Sequence, residues 1–529
     1  MQYRHVVRLR LLNLVSKPIP VPRADGPPVQ CPATLALAAS CQWHRSVVLK
    51  LFLVFLAAGT ARGETPVDIG SRRELFVDHH LIEKLDGCRL ELARPRDEGV
   101  VLKFDQPWEG PFCGYCTVIK DGDRFRVYYR GNPTAGRDGG NTEVTCVAES
   151  PDGIHFSKPK LGHFEVDGTK DNNVVLAGLA PFSHNFSPLL DSRPGVPADQ
   201  RWKGIGGIMS SGLAAFASAD GLRWRKLRDE PILTKSQVPF KAMFDSQNLA
   251  FWSESEQKYL LYFRVFQDGI RRIARATSDD FVTWSAPELM EYRVPGGSPP
   301  VEHHYTNQTH AYFRAPHIYV SLAARFMSGR QVLTDDEAKA IGVNPAYFKD
   351  TSDAIFQTSR GGAVYDRTFL EGFIRPAIGA RNWVSRTNYP ALNTVQTGPD
   401  EMSFYVNQDY AQPTAHLHRY SLRLDGFASV RAGYSGGELL TKPIKFTGRR
   451  LLVNLATSAA GSLRVEIQDA TGKPIPGFML ADTRELIGNE IERPVSWKSG
   501  DDVGKLAGQT VRLRFVIKDA DLFAIRFAE

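Results

Sequence analysis

Ser150-Pro151-Asp152-Gly153-Ile154-His155-Phe156 carries a pattern that returns as Ser218-Ala219-Asp220-Gly221-Leu222-Arg223-Trp224 and as Ser278-Asp279-Asp280-Phe281-Val282-Thr283-Trp284. In each, a serine is followed six residues later by an aromatic, with turn-forming residues between. A degenerate copy runs over 359–365 and a weaker one over 425–430. Asp-Gly permits the positive φ of a tight turn, and the aromatic after it can pack on a sheet. Upstream of each copy lies a stretch rich in aromatic and branched residues, at 124–130, 201–208, 259–265, 317–323 and 402–406. The aromatics at 156, 224, 284 and 365 are 68, 60 and 81 residues apart. That spacing holds roughly four short strands and a variable loop, the content of a propeller blade.

Four clear units and one weak one predict a five-bladed β-propeller over 74–435. The segments 74–82 and 90–93 precede the first unit and are expected to close the ring by pairing with the last blade. After residue 436, the segments 451–455, 462–468, 511–517 and 522–527 alternate apolar and polar residues between turns. This is the period of a half-buried antiparallel sheet, so a β-sandwich is expected over 436–529. Only 335–341, in the long loop of the fourth unit, reads as helix. The fold class is therefore all-β: a five-bladed β-propeller followed by a C-terminal β-sandwich. The 45 glycines and 33 prolines among 529 residues agree with a turn-rich β-protein.

The formal charge of +7 belongs to the leader. Residues 1–63 hold eight Lys/Arg and one acid, and the rest of the chain has 57 of each sign. A neutral body exerts no pull on a phosphate backbone, so no nucleic-acid partner is expected. Arg45 and Lys50 precede the apolar run 51–58 and small residues up to Gly63. These are the parts of a signal peptide at about 45–63, too short to span a bilayer; a short membrane anchor is the other reading. Export to the periplasm or medium is expected, with no membrane association after cleavage. Cys88, Cys113, Cys116 and Cys146 would remain. Cys113-x-x-Cys116 lacks a second pair at zinc spacing, and on a strand its thiols face opposite ways. No metal site is expected, only buried thiols or one disulfide.

Innermost propeller strands begin around one mouth of the central channel, and their first residues ring it. These starts are expected near Glu109, His184, Asp245, Glu302 and Asn388. The runs around the first four are rich in Asp, Asn, Gln and His, which are poor strand formers and need partners when buried. Acids among neutral amides and imidazoles suit sugar hydroxyls, which take paired donors and acceptors. Cleaving a glycosidic bond needs one carboxyl protonated and one ionised. Any one of these carboxylates also fits a structural role, satisfying backbone N–H groups or an arginine.

The repeat resembles the five-bladed propellers of the glycoside hydrolases, the superfamily of the family 32 β-fructosidases and the family 43 arabinofuranosidases and xylosidases. The likeness spans roughly 74–430 and implies three acids on inner strand starts. Glu109-Gly110-Pro111, then a hydrophobic strand, a Lys120-Asp121-Gly122 turn and Val127-Tyr128-Tyr129, resembles the family 43 general-acid segment. Phe244-Asp245, leading to Asn248 and Trp252, resembles an aspartate strand start. By that likeness Glu109 is the acid and Asp245 the base or nucleophile. The third acid is Glu302, Glu371 or Asp353. His184, Asn185, Gln247, Asn248, His303, His304, Tyr305, Asn307 and Glu371 would hold the sugar. The family 32 motifs Asn-Asp-Pro-Asn-Gly, Arg-Asp-Pro and Glu-Cys are absent, and the acidic segments depart from the family 43 order, as in an outlying branch. The resemblance implies an exported glycosidase acting on an oligo- or polysaccharide, with no cofactor and a Ca²⁺ left open. The alternatives are a non-catalytic glycan-binding propeller and, from the Ser-x-Asp-x-Gly-x-x-Trp likeness, a sialidase-like enzyme.

Overall fold

The computed structural model describes residues 65–136 and 138–529; the expected signal peptide lies outside them. Five sheets form the blades of a propeller, and a sixth sheet of ten strands forms the sandwich. Blade one runs outward through Gly114–Asp121, Arg124–Gly131, Val144–Ser150 and Val174–Leu176. Blade two is Ser187–Leu190, Trp202–Ile208, Gly212–Ser218 and Arg225–Lys226; blade three is Leu249–Ser253, Lys258–Gln267, Ile270–Ser278 and Glu288–Leu289. In blade four the inner strand is broken into His303–Thr306 and Thr309–Tyr312, both paired with Ala315–Met327. Gln308 lies at the break with φ +46°. Blade five is broken in the same way, into Tyr389–Pro390 and Val395–Gln396 against Glu401–Gln408. The long loop of blade four carries the one α-helix among the described residues, Asp335–Ala340, started by a Thr334/Glu337 capping box.

The repeated heptad owes its shape to hydrogen bonds within the turn. Ser150 Oγ accepts from Gly153 N at 2.9 Å, while Asp152 Oδ1 accepts from Ile154 N and His155 N at 2.8 and 2.9 Å. Ser218/Asp220 and Ser278/Asp280 repeat this geometry. The residue after each aspartate has φ of 76°, 75° and 70°; in the third copy it is Phe281, so the caps hold even a bulky residue left-handed. The turn also joins blades. Tyr405 of blade five donates to Gly153 O of blade one at 2.5 Å, and Tyr128 of blade one to Gly221 O of blade two at 2.9 Å. Phe156 and Trp224 are half-buried and lie edge-on to the same two tyrosines.

Closure of the ring differs from expectation. The outermost strand of blade five is Arg96–Lys103, antiparallel to His416–Arg423. The segments expected in that place join the sandwich instead. Arg73–Leu75 and Ile82–Asp86 pair with Val511–Ala528 and Gly437–Thr441, and Cys88–Leu92 pairs with Ala428–Ala432. The sandwich is thus built from both flanks of the propeller. Its two long strands, Arg450–Asp469 and Val511–Ala528, pair along nearly their whole length around a core centred on Trp497, Phe515 and Phe527.

The sandwich is fastened to blades four and five. Leu75, Val77, Phe427 and Ala524 share one apolar cluster with Ile318, Phe356 and Phe404, and each large side chain buried there contributes ~1.5–3 kcal/mol. Above this cluster runs a charged seam. Asp425, fully buried, accepts from Tyr312 Oη at 2.9 Å, Arg314 Nε at 3.1 Å, Asn454 Nδ2 at 3.1 Å and Arg73 Nη1 at 3.3 Å. Glu74 is held by His317 at 2.9 Å and Arg360 at 2.7 Å, and Asp78 by Arg360 at 2.9 Å.

Candidate functional site

The inner strands of the five blades meet in a polar layer across the channel axis. Gln247 Nε2 of blade three donates to Thr117 Oγ1 of blade one at 2.8 Å and to Ser187 Oγ of blade two at 3.4 Å. Gln308 Nε2 of blade four donates to Gln247 Oε1 at 2.7 Å and to Pro390 O of blade five at 2.8 Å. Every blade contributes one group, and the layer divides the channel into two ends. At one end, where the strands leave, a cavity of about 470 Å³ is lined by Val118, Leu190, Trp252, His310 and Leu392 among others. Its histidine is occupied: His310 Nδ1 lies 2.9 Å from Gln308 O, and Nε2 accepts from Thr394 N at 3.0 Å. Burial pulls the His310 imidazole down to about 4, which fits this neutral, bridging form.

The other end, where the strands begin, is the mouth, made of tyrosines and arginines. Arg130, at the end of the second strand of blade one, is buried against the Tyr115 ring, 4.8 Å from its centroid. It donates to Asn185 Oδ1 of blade two at 3.0 Å, to Asp138 at 3.1 Å and to Tyr410 Oη at 3.1 Å, so it ties together blades one, two and five. Arg264 holds the same place in blade three. Its Nη2 donates to Asp245 at 2.7 Å and its plane lies 5.0 Å from the Tyr305 ring of blade four. Arg271 and Arg386 also approach Tyr305, at 5.0 and 5.5 Å. Tyr305 itself packs on Tyr389, ring centroids 5.3 Å apart. Burial pushes the Tyr115 and Tyr389 hydroxyls far above the usual phenol range, so they act as neutral groups. Tyr115, Asn185, Phe244, Gln308, Arg386 and Asn388 all have positive φ. Left-handed non-glycine residues at the inner edge of all five blades are the local strain that functional sites concentrate.

The expected residues divide into those that build this mouth and those that do not. Asp245 lies on the mouth, its side chain 46% exposed. Tyr305 and Asn185 are part of the ring described above. His184 stands behind Asn185: its Nδ1 is 2.9 Å from Glu143 Oε2 and its Nε2 is 2.9 Å from Asn185 Nδ2. Burial pushes the Glu143 carboxyl up, but the His184 hydrogen bond and the charges of His184 and Arg130 hold it below the ordinary value. His303 accepts from Arg271 N at 3.3 Å and orients that residue. Gln247 belongs to the axial layer. Asn248 is a structural residue that donates to Phe244 O and Ser246 O at 3.2 Å, and Asn307 Oδ1 caps Thr309 N at 3.1 Å.

Three carboxylates depart from expectation. Blade one starts at Gly114, five residues beyond Glu109, whose side chain is fully buried. Tyr129 Oη donates to its Oε1 at 2.6 Å; Lys158 Nζ and Gln106 N donate to its Oε2 at 2.6 and 2.9 Å. Gly110, at φ +73°, packs so closely on Pro133 that a Cβ would sit 2.5 Å from that Cα, which fixes the turn below the mouth. Both Glu109 oxygens are occupied in the core, a structural setting in place of the strand-start acid the resemblance implied. Glu302 and His304 alternate to the face opposite Tyr305. There Glu302 is gripped by Arg325 and Arg367 at 2.8 Å each, and Arg325 also holds Asp353. Burial pushes the Glu302 carboxyl up, but hydrogen bonds from His304, Arg325 and Arg367 keep it far below the usual range, which suits a fixed anion. His304, edge-on to Tyr292, is buried. Glu371 is exposed and lines a different cavity of about 570 Å³ with Arg89, Asp97 and Tyr420.

Sequence reading missed the arginines. One signal was available: Arg130, Arg264 and Arg325 follow Tyr128-Tyr129, Phe263 and Ala323-Ala324 at the end of otherwise apolar second strands. A cation in that position has to be paired or functional. Cys113, Cys116 and Cys146 are buried free thiols, and Cys88 is half-buried.

No family model matches the chain, and a search of curated proteins found no match. Solved structures similar to it include a glycoside hydrolase, 12% identical over 62% of this chain and 92% of its own, TM-score 0.41. An N-acetylgalactosamine deacetylase from F. plautii, solved with blood group B trisaccharide, is 12% identical over 64% and 96%, TM-score 0.41. A thermostable family-43 glycoside hydrolase is 12% identical over 62% and 96%, TM-score 0.35. Similarity this distant carries neither residues nor an activity across.

Proposed function

We propose that this chain is an exported carbohydrate-active protein of the glycosidase kind, which holds a sugar at the tyrosine–arginine mouth and acts on the glycosidic bond through Asp245. The observation that carries this reading is the setting of Asp245. It is half exposed, and it is oriented at 2.7 Å by Arg264, whose guanidinium lies 5.0 Å from the Tyr305 ring. The amides, hydroxyls and guanidinium groups of the mouth offer the O–H groups of a sugar donors and acceptors. An aspartate oriented by a guanidinium suits the part of base or nucleophile. Glu109 is not assigned the proton for the leaving oxygen, since both its oxygens have partners in the core.

Recognition without cleavage is a second reading, favoured by one observation. Asp138 is taken by Arg130, Glu143 by His184 and Glu302 by Arg325 and Arg367, so none of these stands unpaired as a partner acid for Asp245. A panel of plant and algal oligo- and polysaccharides, with products separated by chromatography, tests the two. Glycosidase action predicts released sugar and a loss on the order of 10³-fold or more in Asp245→Asn. Undiminished turnover in Asp245→Asn would remove that residue from the mechanism, and binding with no product would favour recognition. Amino-terminal sequencing of the exported protein is expected to start near residue 63; an intact Met1 in the cytoplasm would contradict export.

A further inference from the structure

Three guanidinium groups surround the Tyr305 ring at 5.0, 5.0 and 5.5 Å, and among the described residues they share one carboxylate. Asp245 takes only Nη2 of Arg264; Nε and Nη1 of that buried arginine have no partner. Arg271 gives one long hydrogen bond, 3.4 Å to His303 Nδ1, and its buried Nε has none. Arg386 lies over the Tyr305, Tyr347 and Tyr410 rings and has no ion pair among the described residues. Burial, and after it the charges of Arg264 and Arg386, pull the Arg271 guanidinium below its ordinary value against Tyr305, whereas at Arg386 burial is outweighed by the surrounding tyrosines, which hold it above its own. Cation–π contact accounts for the faces of these groups. Apart from the bonds to Asp245 and His303, it leaves their N–H donors, which lie in the guanidinium plane, without acceptors among the described residues.

We propose that these three arginines form an oxyanion subsite of the mouth, and that the sugar recognised there bears a carboxylate or a sulfate ester. The proposal rests on the glycan reading above and narrows it to acidic glycans. A planar or tetrahedral oxyanion over Tyr305 would take the free donors of Arg264, Arg271 and Arg386 and match the excess positive charge. A neutral sugar would leave them unpaired. Asp245 on the rim would repel an acidic group placed at the reacting carbon, so the anionic substituent is expected on the Arg271/Arg386 side.

Isothermal titration tests this with two matched pairs: oligogalacturonate against its methyl ester, and a sulfated galactose oligomer against its desulfated form. At low salt the charged member of at least one pair is expected to bind about 10-fold or more tighter, with the advantage shrinking as salt rises. Arg271→Gln and Arg386→Gln should erase the advantage of the charged member over the neutral one. A carboxylate ligand would lose its advantage on acidification, whereas a sulfate ester would keep it. Inorganic sulfate supplies an arm independent of sugar. It should raise the melting temperature of the wild type above that in chloride of equal ionic strength, and the double variant should lose the effect. Equal binding of charged and neutral sugars would overturn the oxyanion subsite while the glycan reading stands. A sulfate effect lost in the double variant, with no sugar bound, would keep the subsite and sink the glycan reading. A sulfate effect that survives both substitutions, or no response to sulfate or sugar, would also overturn the subsite.

Discussion

At the seam between sandwich and propeller, Arg73, Arg314 and Arg360 meet Glu74, Asp78, Asp425 and Glu492; at the mouth, Arg264, Arg271 and Arg386 meet Asp245 alone. Both regions are rich in arginine and tyrosine, and both join elements distant in sequence. In the seam every guanidinium has at least one carboxylate, and the interior acids are saturated. Such a network holds parts together, and removing one member leaves charges buried without partners. The mouth is short of anions. Stability does not ask for that arrangement; a ligand that supplies the missing anion does.

The largest effect should come from breaking the seam. Asp425→Ala removes the fully buried acid shared by Arg73 and Arg314 and leaves them only the half-exposed Glu492; it should cost ~3–5 kcal/mol, read as a lower denaturation midpoint in urea. A loss below about 1 kcal/mol would show the seam to be no more than a surface contact. Next comes acid. Burial pushes the Glu74 carboxyl up, but the His317 hydrogen bond and the Arg360 charge outweigh it and hold the group at about 2, against 4.5 for the free side chain. A folded value below the unfolded one means stability that is complete above pH 4.5 and lost as pH falls toward 2. The shift corresponds to roughly 3 kcal/mol. Unfolding followed across that window should show the fall, and Glu74→Gln should flatten it.

Glu109→Gln comes third. The amide keeps the Tyr129 contact but costs Lys158 one of its two carboxylates, the other being Asp105. A loss on the order of 1–2 kcal/mol is expected, with ligand binding unchanged. A rate loss like that expected of Asp245→Asn, without loss of stability, would restore Glu109 to the mechanism. The smallest effect belongs to the mouth: Arg386→Gln should leave stability within about 0.5 kcal/mol or raise it, since it removes an unmatched charge. Strong destabilisation there would erase the contrast between the two regions.

The repeat was legible because its physics is local. Ser150 and Asp152 bond to backbone N–H groups within three residues, so the pattern in sequence is the turn in space. The alternation of the sandwich strands was legible for the same reason. Ring closure was not. Arg96–Lys103 reads RDEGVVLK, polar at one end, and its partner lies more than 300 residues away. Nothing local separates a strand that closes the ring from one that joins the sandwich. The site was half legible. The polar runs before blades two to four do bring Asn185, Asp245 and Tyr305 to the mouth. Glu109 was misplaced because the turn at Gly110-Pro111 delays the first strand, and because a carboxylate's partners, here Tyr129 and Lys158, cannot be read from its neighbours. Arg271 and Arg386 carry no pattern at all, since their importance is the absence of partners.

The charge imbalance at the mouth can be located directly by soaking crystals in selenate and mapping the anion by its anomalous scattering. The account predicts selenate over Tyr305, with oxygens within about 3 Å of the free guanidinium nitrogens of Arg264, Arg271 and Arg386. Selenate absent from the mouth, and found instead at the seam cavity lined by Arg72, Arg314 and Arg526, would contradict it.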